Sequence, residues 1–360
     1  MNKISIPIGP QHPLIKEPIS FKIDISGERV IGGETRLGYV HRGIEKLAQS
    51  RNYIQNLHLI ERVCGICSHI HTTAYCYAVE KLLKVEIPQR AQYIRALMCE
   101  LERIHSHLLW LGILAKHIGL ETVFMHTWHD REMVLDVMEE ISGGRVTHAV
   151  NKIGGVRCDI IPKHHMLLDE TLTKLKIQVE SLREVMINEP SLKARTKGVA
   201  PITPEQIKAF CVVGPIARAS GVDIDLRRDD PLPPYNQLSF SVVTHLDGDA
   251  WARTIVRVDE VIESINLCAK ILNNLPAGEI EVRTKRSVPT GEVIVRAEAP
   301  RGELFYYLRS NGTEIPARLK IRTPTLPALS IVPTQLSSIH VADIPVILAG
   351  VDLCIACADR

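Results

Sequence analysis

Two Cys-x-x-Cys pairs lie at opposite ends of this chain of 360 residues. Cys64 and Cys67 occur in the segment RVCGICSHIH, and Cys354 and Cys357 occur in DLCIACADR. Thiolates are soft ligands for zinc, nickel and iron, and four of them can close a tetrahedral or a bridged metal site. The two pairs therefore predict a metal centre that forms when the fold brings the ends of the chain together.

Each pair alone has three interpretations: half of a zinc ribbon, a dithiol redox centre or part of an iron–sulfur site. The two pairs of a zinc ribbon usually lie within about 20 residues of each other, whereas nearly the whole chain separates these two. A thioredoxin-like dithiol expects a βαβ setting, and no such pattern flanks Cys64. A structural zinc site that only joins the two ends of the chain remains an alternative.

The other five cysteines are isolated, and each is predicted to be a small buried hydrophobic residue. These are Cys76, Cys99, Cys158, Cys211 and Cys268. We expect thiols or metal ligands rather than disulfides, because the N-terminus has no apolar signal core and indicates a reducing, cytoplasmic compartment.

The composition excludes two classes of partner. The net charge is +2, from 43 basic and 41 acidic residues, so nothing indicates nucleic-acid binding. No run of 18 apolar residues occurs, so no helix of this chain is expected to span a bilayer. Membrane association is expected only through partner subunits.

The hydrophobic period predicts an α+β fold that is mainly helical. Apolar residues recur with the helical period from about 90 to 188 and again from 250 to 273, which predicts a central antiparallel helical bundle. Alternation in 18–40 and in 280–322 predicts small β sections near the N-terminus and in the later segment.

We interpret residues 1–360 as one domain. Its parts are an N-terminal β section (1–50), a helical core (51–275) and a β section with the C-terminal metal-binding segment (276–360). Ser310-Asn311-Gly312 is predicted to form a hairpin turn. The proline-rich segments 189–249 and 323–346 are predicted to be ordered loops.

The surroundings of the four cysteines resemble one known family. Arg62, Gly65 and His71 complete the pattern R-x-C-G-x-C-x-x-x-H, and Asp352 and Arg360 complete D-x-C-x-x-C-x-x-R. Both patterns are similar to those of the nickel–iron hydrogenase large subunit. The resemblance implies a nickel–iron centre whose iron also carries CO and CN⁻ ligands.

The resemblance also implies a role for each cysteine. Cys64 and Cys354 would bind nickel terminally, whereas Cys67 and Cys357 would bridge nickel to iron. Cys354 would also take part in catalysis, since a terminal thiolate can accept a proton from bound hydrogen.

Four further residues gain roles from the same resemblance. His71 would donate a hydrogen bond to a bridging sulfur. Glu45, in the R-G-x-E element of HRGIEKL, would be the first proton relay, with a raised pKa that Arg42 tunes. Arg301, in EAPRGEL, would face the diatomic ligands as a fixed cation, and Pro300 would line the same site.

The rest of the chain resembles the quinone-site 49 kDa subunit of respiratory complex I. The similar segments are GPQHP at the start, AYCYAVEKLL, GPIARASGVDIDLRR, GDAWARTIVRVDE and APRGEL. A complex-I-like body with all four cysteines is typical of the energy-converting, membrane-associated nickel–iron hydrogenases, of the ferredoxin-linked or the CO-induced type.

Several positions depart from these relatives. Leu353 and Arg360 stand where uptake hydrogenases usually have proline and histidine, which argues against an additional metal ion near the C-terminus. His117 replaces an aspartate, while Lys16 and Gly65 align with the quinone-facing histidine and tyrosine of complex I. The last two losses argue against quinone reduction. If the chain is translated as written, no cleavage after Arg360 is expected.

The resulting hypothesis is the catalytic subunit of a hydrogenase that interconverts 2H⁺ + 2e⁻ and H₂, with hydrogen evolved from reduced ferredoxin and coupled to ion pumping. Expected partners are a small subunit with a [4Fe-4S] cluster, further hydrophilic and integral-membrane complex-I-like subunits, and ferredoxin as the indirect donor. Iron–sulfur clusters are expected only in those partners. The expected location is the cytoplasmic face of the cell membrane. The alternative is a metal-free quinone-site or scaffold subunit of a complex-I-like oxidoreductase.

Overall fold

The computed structural model describes residues 3–360. The helices are α1 (Ile44–Leu47), α2 (Tyr53–Glu61), α3 (Ser68–Leu83), α4 (Gln89–Ile118), α5 (Glu121–Ser142), α6 (Pro162–Asn188), α7 (Pro190–Thr196), α8 (Pro204–Ala209), α9 (Pro215–Arg218), α10 (Leu226–Asp229), α11 (Ala250–Asn273), α12 (Thr325–Gln335), α13 (Ile344–Gly350) and α14 (Ile355–Asp359). The strands are β1 (Ile4–Ile8), β2 (Ser20–Ser26), β3 (Arg29–Arg36), β4 (Asn151–Lys152), β5 (Gly155–Val156), β6 (Gly291–Ala299), β7 (Gly302–Ser310) and β8 (Arg318–Arg322).

The fold is α+β and mainly helical, as the sequence predicts. Helices α4, α5, α6 and α11 pack against one another and form the bundle. Gly119, with φ +90°, ends α4 in the left-handed region and lets the chain reverse into α5 after one further residue. The apolar stripes of these helices, including Leu97, Leu108 and Leu175, are buried in one hydrophobic cluster.

Two three-stranded antiparallel sheets flank the bundle, in the orders β1-β2-β3 and β6-β7-β8. The first packs with α12, whereas β6 and β7 pack against α3, which follows the first cysteine pair. The turn between β6 and β7 consists of Pro300 and Arg301, because Ala299 pairs directly with Gly302. Ser310 to Gly312 begins the longer connection from β7 to β8. The chain therefore reverses direction at the predicted position, between two antiparallel strands, but through a longer loop than the tight turn between β6 and β7.

The prediction of loops for 189–249 and 323–346 is wrong in part, because short helices α7 to α10 and the eleven-residue α12 lie there. Pro190, Pro204 and Pro215 stand in the first turn of α7, α8 and α9. Proline is tolerated there because its missing N–H would have no helical partner anyway. These three prolines lie in a segment predicted to be loop, but they stand at the starts of helices. None of the helices within 3–360 is long and apolar enough to cross a membrane.

Candidate metal centre

The two cysteine pairs come together in the fold, each at the start of a helix. Cys67 immediately precedes α3, and Cys354 immediately precedes α14. The Sγ atoms of Cys64 and Cys354 are 3.4 Å apart, and those of Cys67 and Cys357 are 3.5 Å apart. All four cysteines are buried. The arrangement is a closed cluster of four sulfurs that the fold assembles from both ends of the chain.

Arg42 ties the two cysteine segments to each other. Its guanidinium donates hydrogen bonds to the carbonyls of Arg62 (2.6 Å) and Val63 (2.9 Å), just before the first pair. It also donates to the carbonyl of Ala356, inside the second pair, at 3.0 Å. The prediction that Arg42 tunes the pKa of Glu45 is wrong. Although Arg42 lies close to Glu45 along the chain, its long side chain reaches backbone carbonyls of the two cysteine segments.

A carboxylate accepts hydrogen bonds from the first N–H groups of each helix. Glu102 of α4 accepts from the backbone N–H of His69 (2.6 Å) and of Ile70 (3.0 Å) in α3. Glu17, in the loop between β1 and β2, accepts from the N–H of Ile355 and from that of Ala356 (2.9 Å) in α14. Sequence analysis missed both acids, because their contacts span 32 residues or more along the chain.

Both carboxyls have raised pKa values. Burial raises the pKa of Glu102 to about 8 despite its two backbone donors. Burial and the neighbouring Cys354 raise the pKa of Glu17 above its usual range. Burial disfavours the charged form of a carboxyl, and Glu17 lies under this influence beside the second cysteine pair.

The thiols are too close together to ionise simultaneously without a compensating charge. Contacts with Cys354, Cys64 and Cys67 raise the pKa of Cys357 well above that of a free thiol. Contacts with Cys357 and Cys64 lower the pKa of Cys67 to about 7. Bound metal cations deprotonate coordinating thiols, so this donor set fits a metal centre of high positive charge.

His71 lies against one sulfur of the cluster. Its Nε2 atom is 3.6 Å from Cys357 Sγ, and its Nδ1 atom is 2.7 Å from the hydroxyl of Tyr306. Burial lowers the pKa of His71 to about 4, so the ring is neutral near pH 7. If the Tyr306 hydroxyl donates to Nδ1, the ring proton must be on Nε2, which faces the sulfur. The geometry therefore suits the predicted hydrogen bond to a bridging sulfur.

Arg301 projects from the β6–β7 turn towards the same cluster. Its Nε and Nη2 atoms donate to the backbone carbonyl and to Oδ1 of Asp352, both at 3.1 Å. Burial opposes its charge, but Asp352, Cys354, Cys67 and Cys64 raise its pKa well above the ordinary value. Nη1 is buried and has no hydrogen-bond partner among the described residues. Arg301 is thus a fixed cation whose charge interacts with three of the thiols and whose Nη1 has no partner, and Pro300 precedes it in the turn.

Glu45 lies at the other end of α14 and is held by cations. Its Oε1 atom accepts hydrogen bonds from Arg360 Nε and from the backbone N–H of Ile321, both at 3.0 Å, and Oε2 is 3.1 Å from Lys320 Nζ. Burial favours the neutral acid, but these three donors hold the pKa of Glu45 below its usual range. The prediction of a raised pKa for Glu45 is therefore wrong. The cations that lower this pKa come from distant parts of the chain, so the R-G-x-E element does not reveal them.

The position that corresponds to the quinone-facing histidine is occupied by an ion pair. Lys16 Nζ is 3.9 Å from Asp352 Oδ1, and Arg257 approaches the other oxygen of Asp352 at 3.9 Å. Lys16, Asp352 and His117 line a cavity of about 40 Å³. Sites for cofactor-sized ligands usually measure about 300–1,000 Å³. The cavity in this chain lies well below that range.

The remaining cysteines lie apart from the cluster. Cys76, Cys99 and Cys268 are buried, as predicted. Cys158 is only partly buried and Cys211 is exposed, so the prediction is wrong for these two. Cys211 has φ +53° just after α8 ends, in the connection towards α9. Its exposure follows from the short helices in a segment predicted to be loop.

The bundle beneath the site contains a buried histidine from which a pH effect is expected. His107 Nε2 is 2.8 Å from Glu260, and burial lowers the pKa of His107 to about 4. In the unfolded chain the pKa is about 6.5, so unfolding binds a proton between these pH values. The contribution is complete above pH 6.5, and about 1.4 kcal/mol is lost per pH unit as the pH falls towards 4.

Thermal unfolding of the full-length protein between pH 7.5 and pH 5 measures this contribution. We expect His107→Gln, which keeps an N–H donor for Glu260 but does not titrate, to lose less stability than the wild type on acidification. Equal pH slopes for the two proteins would contradict the prediction, because His107 would then bind a proton equally well in the folded and the unfolded chain.

Comparison with known proteins places this chain in a family. Residues 117–289 and 282–360 match the family described as respiratory-chain NADH dehydrogenase, 49 Kd subunit, and residues 42–116 match nickel-dependent hydrogenase. The chain belongs to the family that unites nickel–iron hydrogenase large subunits of the energy-converting, membrane-associated group with the 49 kDa subunit of complex I.

Individual relatives cover essentially the whole chain. It is 37% identical over 364 residues to the carbon monoxide-induced hydrogenase of Rhodospirillum rubrum, with 100% of both chains covered. It is 39% identical over 373 residues to the membrane-bound hydrogenase subunit alpha of Pyrococcus furiosus, with 99% of this chain and 87% of the relative covered. A chain of the membrane-bound sulfane sulfur reductase, an archaeal respiratory membrane complex, superposes with a TM-score of 0.95 at 30% identity, covering 100% and 99%.

Proposed function

We propose that this chain is the catalytic subunit of a nickel–iron hydrogenase that interconverts 2H⁺ + 2e⁻ and H₂. The observation that carries the proposal is the convergence of four buried cysteines with His71 and with the free Nη1 donor of Arg301. Cys64 and Cys354 are assigned as terminal ligands, and Cys67 and Cys357 as bridging ligands. When bound, the nickel–iron centre with its CO and CN⁻ ligands supplies the two-electron chemistry.

The protein's own side chains would bind the metals and orient the groups around them. The His71 N–H would donate to the Cys357 sulfur, and Arg301 would keep a fixed positive charge beside the cluster, since a guanidinium cannot deprotonate. The Cys354 thiolate would accept a proton, and Glu45 would carry it towards solvent. Glu45 lines a cavity of about 590 Å³ together with Arg360 and Lys46, which gives the acid contact with water.

A structural zinc site would use the same four sulfurs but would have no use for the unpartnered guanidinium donor of Arg301. A buried donor without a partner is costly, and a ligand with acceptor atoms of its own would satisfy it. The metal-free quinone-site alternative is disfavoured by the residues at the two quinone-facing positions, where Lys16 and Gly65 replace histidine and tyrosine.

The proposed setting is a complex-I-like assembly at the cytoplasmic face of the membrane. The only groups of at least three metal-binding side chains found within 3–360 belong to the cysteine cluster, so electrons must arrive through a partner. We propose a small subunit with a [4Fe-4S] cluster as that partner, and reduced ferredoxin as the indirect donor. The similarity to the membrane-bound hydrogenase of Pyrococcus furiosus and to the membrane-bound sulfane sulfur reductase supports this setting.

Metal analysis of the purified complex tests the proposal. We expect one nickel per chain, iron beyond that of the iron–sulfur clusters, and infrared bands of metal-bound CO and CN⁻. Hydrogen should evolve when reduced ferredoxin is supplied. One zinc per chain without infrared bands would establish the structural alternative, and a metal-free active complex would establish the quinone-site alternative.

A further inference from the structure

Helix α4 contacts segments next to both cysteine pairs and next to Arg301. Its Glu102 accepts hydrogen bonds from the start of α3, after the first cysteine pair. Trp110 Nε1 donates to the carbonyl of Ala349 at 2.7 Å, shortly before the second pair. Between them, Arg103 reaches the strand that carries Arg301. Arg103, His107 and Trp110 follow each other at i, i+4 and i+7, so they share one face of the helix.

Arg103 holds the backbone that leads directly into the Arg301 turn. Its Nη2 donates to the carbonyl of Glu298 at 2.7 Å and its Nη1 donates to that of Ala299 at 3.2 Å. These are the last two carbonyls of β6, and Pro300 and Arg301 follow. The Arg103 side chain is 1% exposed, so it cannot exchange these bonds for water. A buried carbonyl that loses its donor is destabilising, so these two bonds fix the strand end against α4.

The opposite side of the turn is held by the backbone before α9. A Cβ atom on Gly214 would lie 2.3 Å from the carbonyl oxygen of Arg301 and 2.5 Å from Gly302 Cα. Gly214 has φ +72°, a conformation that side chains disfavour. Arg218 of α9 donates to Glu298 Oε1 at 2.8 Å, so α9 is also tied to the strand end. The turn is therefore clamped between α4 and α9.

We propose that Arg103 is a positioning residue for Arg301, acting together with the close approach of Gly214. Arg103 fixes the strand end from which the Arg301 guanidinium extends, and Asp352 fixes the guanidinium itself. Loss of either backbone clamp lets the turn move and shifts the free Nη1 donor relative to the cysteines. This inference rests on the proposed function for its catalytic consequence, but the clamp itself is a property of the polypeptide.

The test compares Arg103→Met, Arg103→Lys and Gly214→Ala with Arg90→Met in the purified complex. Arg90 is a matched control because it lies on the same helix and also donates to two backbone carbonyls, those of Pro276 and Ile160, both at 2.8 Å. It lies 13 residues, or about 20 Å, from Arg103 along α4.

Arg103→Met and Gly214→Ala should retain nickel and iron, shift the infrared frequencies of the diatomic ligands and lower H/D exchange by about 10- to 100-fold, as for an ~1 Å misplacement. Arg103→Lys should recover part of the loss. Arg90→Met should match the wild type in frequencies and exchange. In an Arg301→Lys background, Arg103→Met should add no further loss, because residues that act through one another are not additive.

A readout independent of the metals is amide hydrogen exchange measured by mass spectrometry. Peptides covering 299–303 should exchange faster in Arg103→Met than in the wild type, whereas Arg90→Met should leave them unchanged. Wild-type amide protection of the turn together with wild-type infrared frequencies in Arg103→Met would overturn the inference. So would losses that multiply in the double variant, or loss of metal from all three test variants.

Failure of the proposed function has a different signature. It would appear in the wild type as absent nickel or absent diatomic bands, while the amide exchange of the turn would still report the clamp.

Discussion

The Cys64→Ser and Cys354→Ser variants are expected to lose nickel and all hydrogen turnover. Serine has nearly the same shape as cysteine, but its hard, weakly acidic hydroxyl is a poor ligand for metals that prefer soft thiolates. Cys64 and Cys354 face each other at 3.4 Å, so either change opens the same side of the cluster. Nickel and iron content, infrared spectra and hydrogen evolution of each purified complex measure the effect.

Cys76→Ser is the matched control for these variants. Cys76 is also buried, on α3 itself, but it lies outside the cluster, and burial raises the pKa of its thiol far above the ordinary value. The control should keep its metals and its turnover, although its stability is expected to fall. Wild-type nickel and activity in Cys64→Ser or Cys354→Ser would disprove the ligand assignment.

The cysteine cluster could be predicted from sequence because its members occur in short patterns. A pair with x-x spacing puts two thiols within reach of one metal, and the surrounding residues are specific enough to indicate a family. The bundle helices could be predicted for a related reason, since long apolar stripes such as that of α4 have a clear period. In both cases the information is local in the chain.

The residues that support the site could not be predicted in this way. Glu17, Glu102 and Arg42 act through backbone groups that are 20 or more residues distant. A backbone N–H or carbonyl can belong to any residue type, so no motif indicates its partner. The same limit explains the error for Glu45, whose pKa depends on Lys320 and Arg360.

The C-terminal arginine can be understood from its contact with Glu45. The Arg360 guanidinium donates to the carboxylate at 3.0 Å and also to the carbonyl of Ala358 at 3.1 Å. Asp359 accepts hydrogen bonds from the backbone N–H groups of Gly38 and Val40. A side-chain cation thus occupies the end of the chain, where the histidine of uptake hydrogenases would bind an additional metal ion.

Two acids, Glu17 and Glu45, contact opposite ends of α14, and their pKa values are shifted in opposite directions. Glu17 has a raised pKa and lies beside Cys354, which suits a group that takes up a proton from a thiol. Glu45 has a lowered pKa and borders the large cavity, which suits a group that releases a proton to water. An acid works best as a relay when its pKa is close to that of its proton donor or acceptor.

We therefore expect Glu45→Gln and Glu17→Gln each to keep nickel, iron and the infrared bands. Glutamine preserves the size and the hydrogen-bond acceptor but cannot exchange a proton. H/D exchange and hydrogen evolution should fall by about two orders of magnitude in each variant, the lower range for loss of general acid–base help. If both acids serve one path, the double variant should be no slower than the slower single variant.

Glu303→Gln is a suitable control, because Glu303 contacts the cations Arg322 and Arg296 on β8 and β6 without touching α14. It should exchange at the wild-type rate. A wild-type exchange rate in Glu45→Gln would remove Glu45 from the proton path, and the same result in Glu17→Gln would remove Glu17. A fall in only one variant would identify the acid that carries the proton. The two variants can be distinguished because the two carboxylates contact separate ends of α14, a helix of five residues.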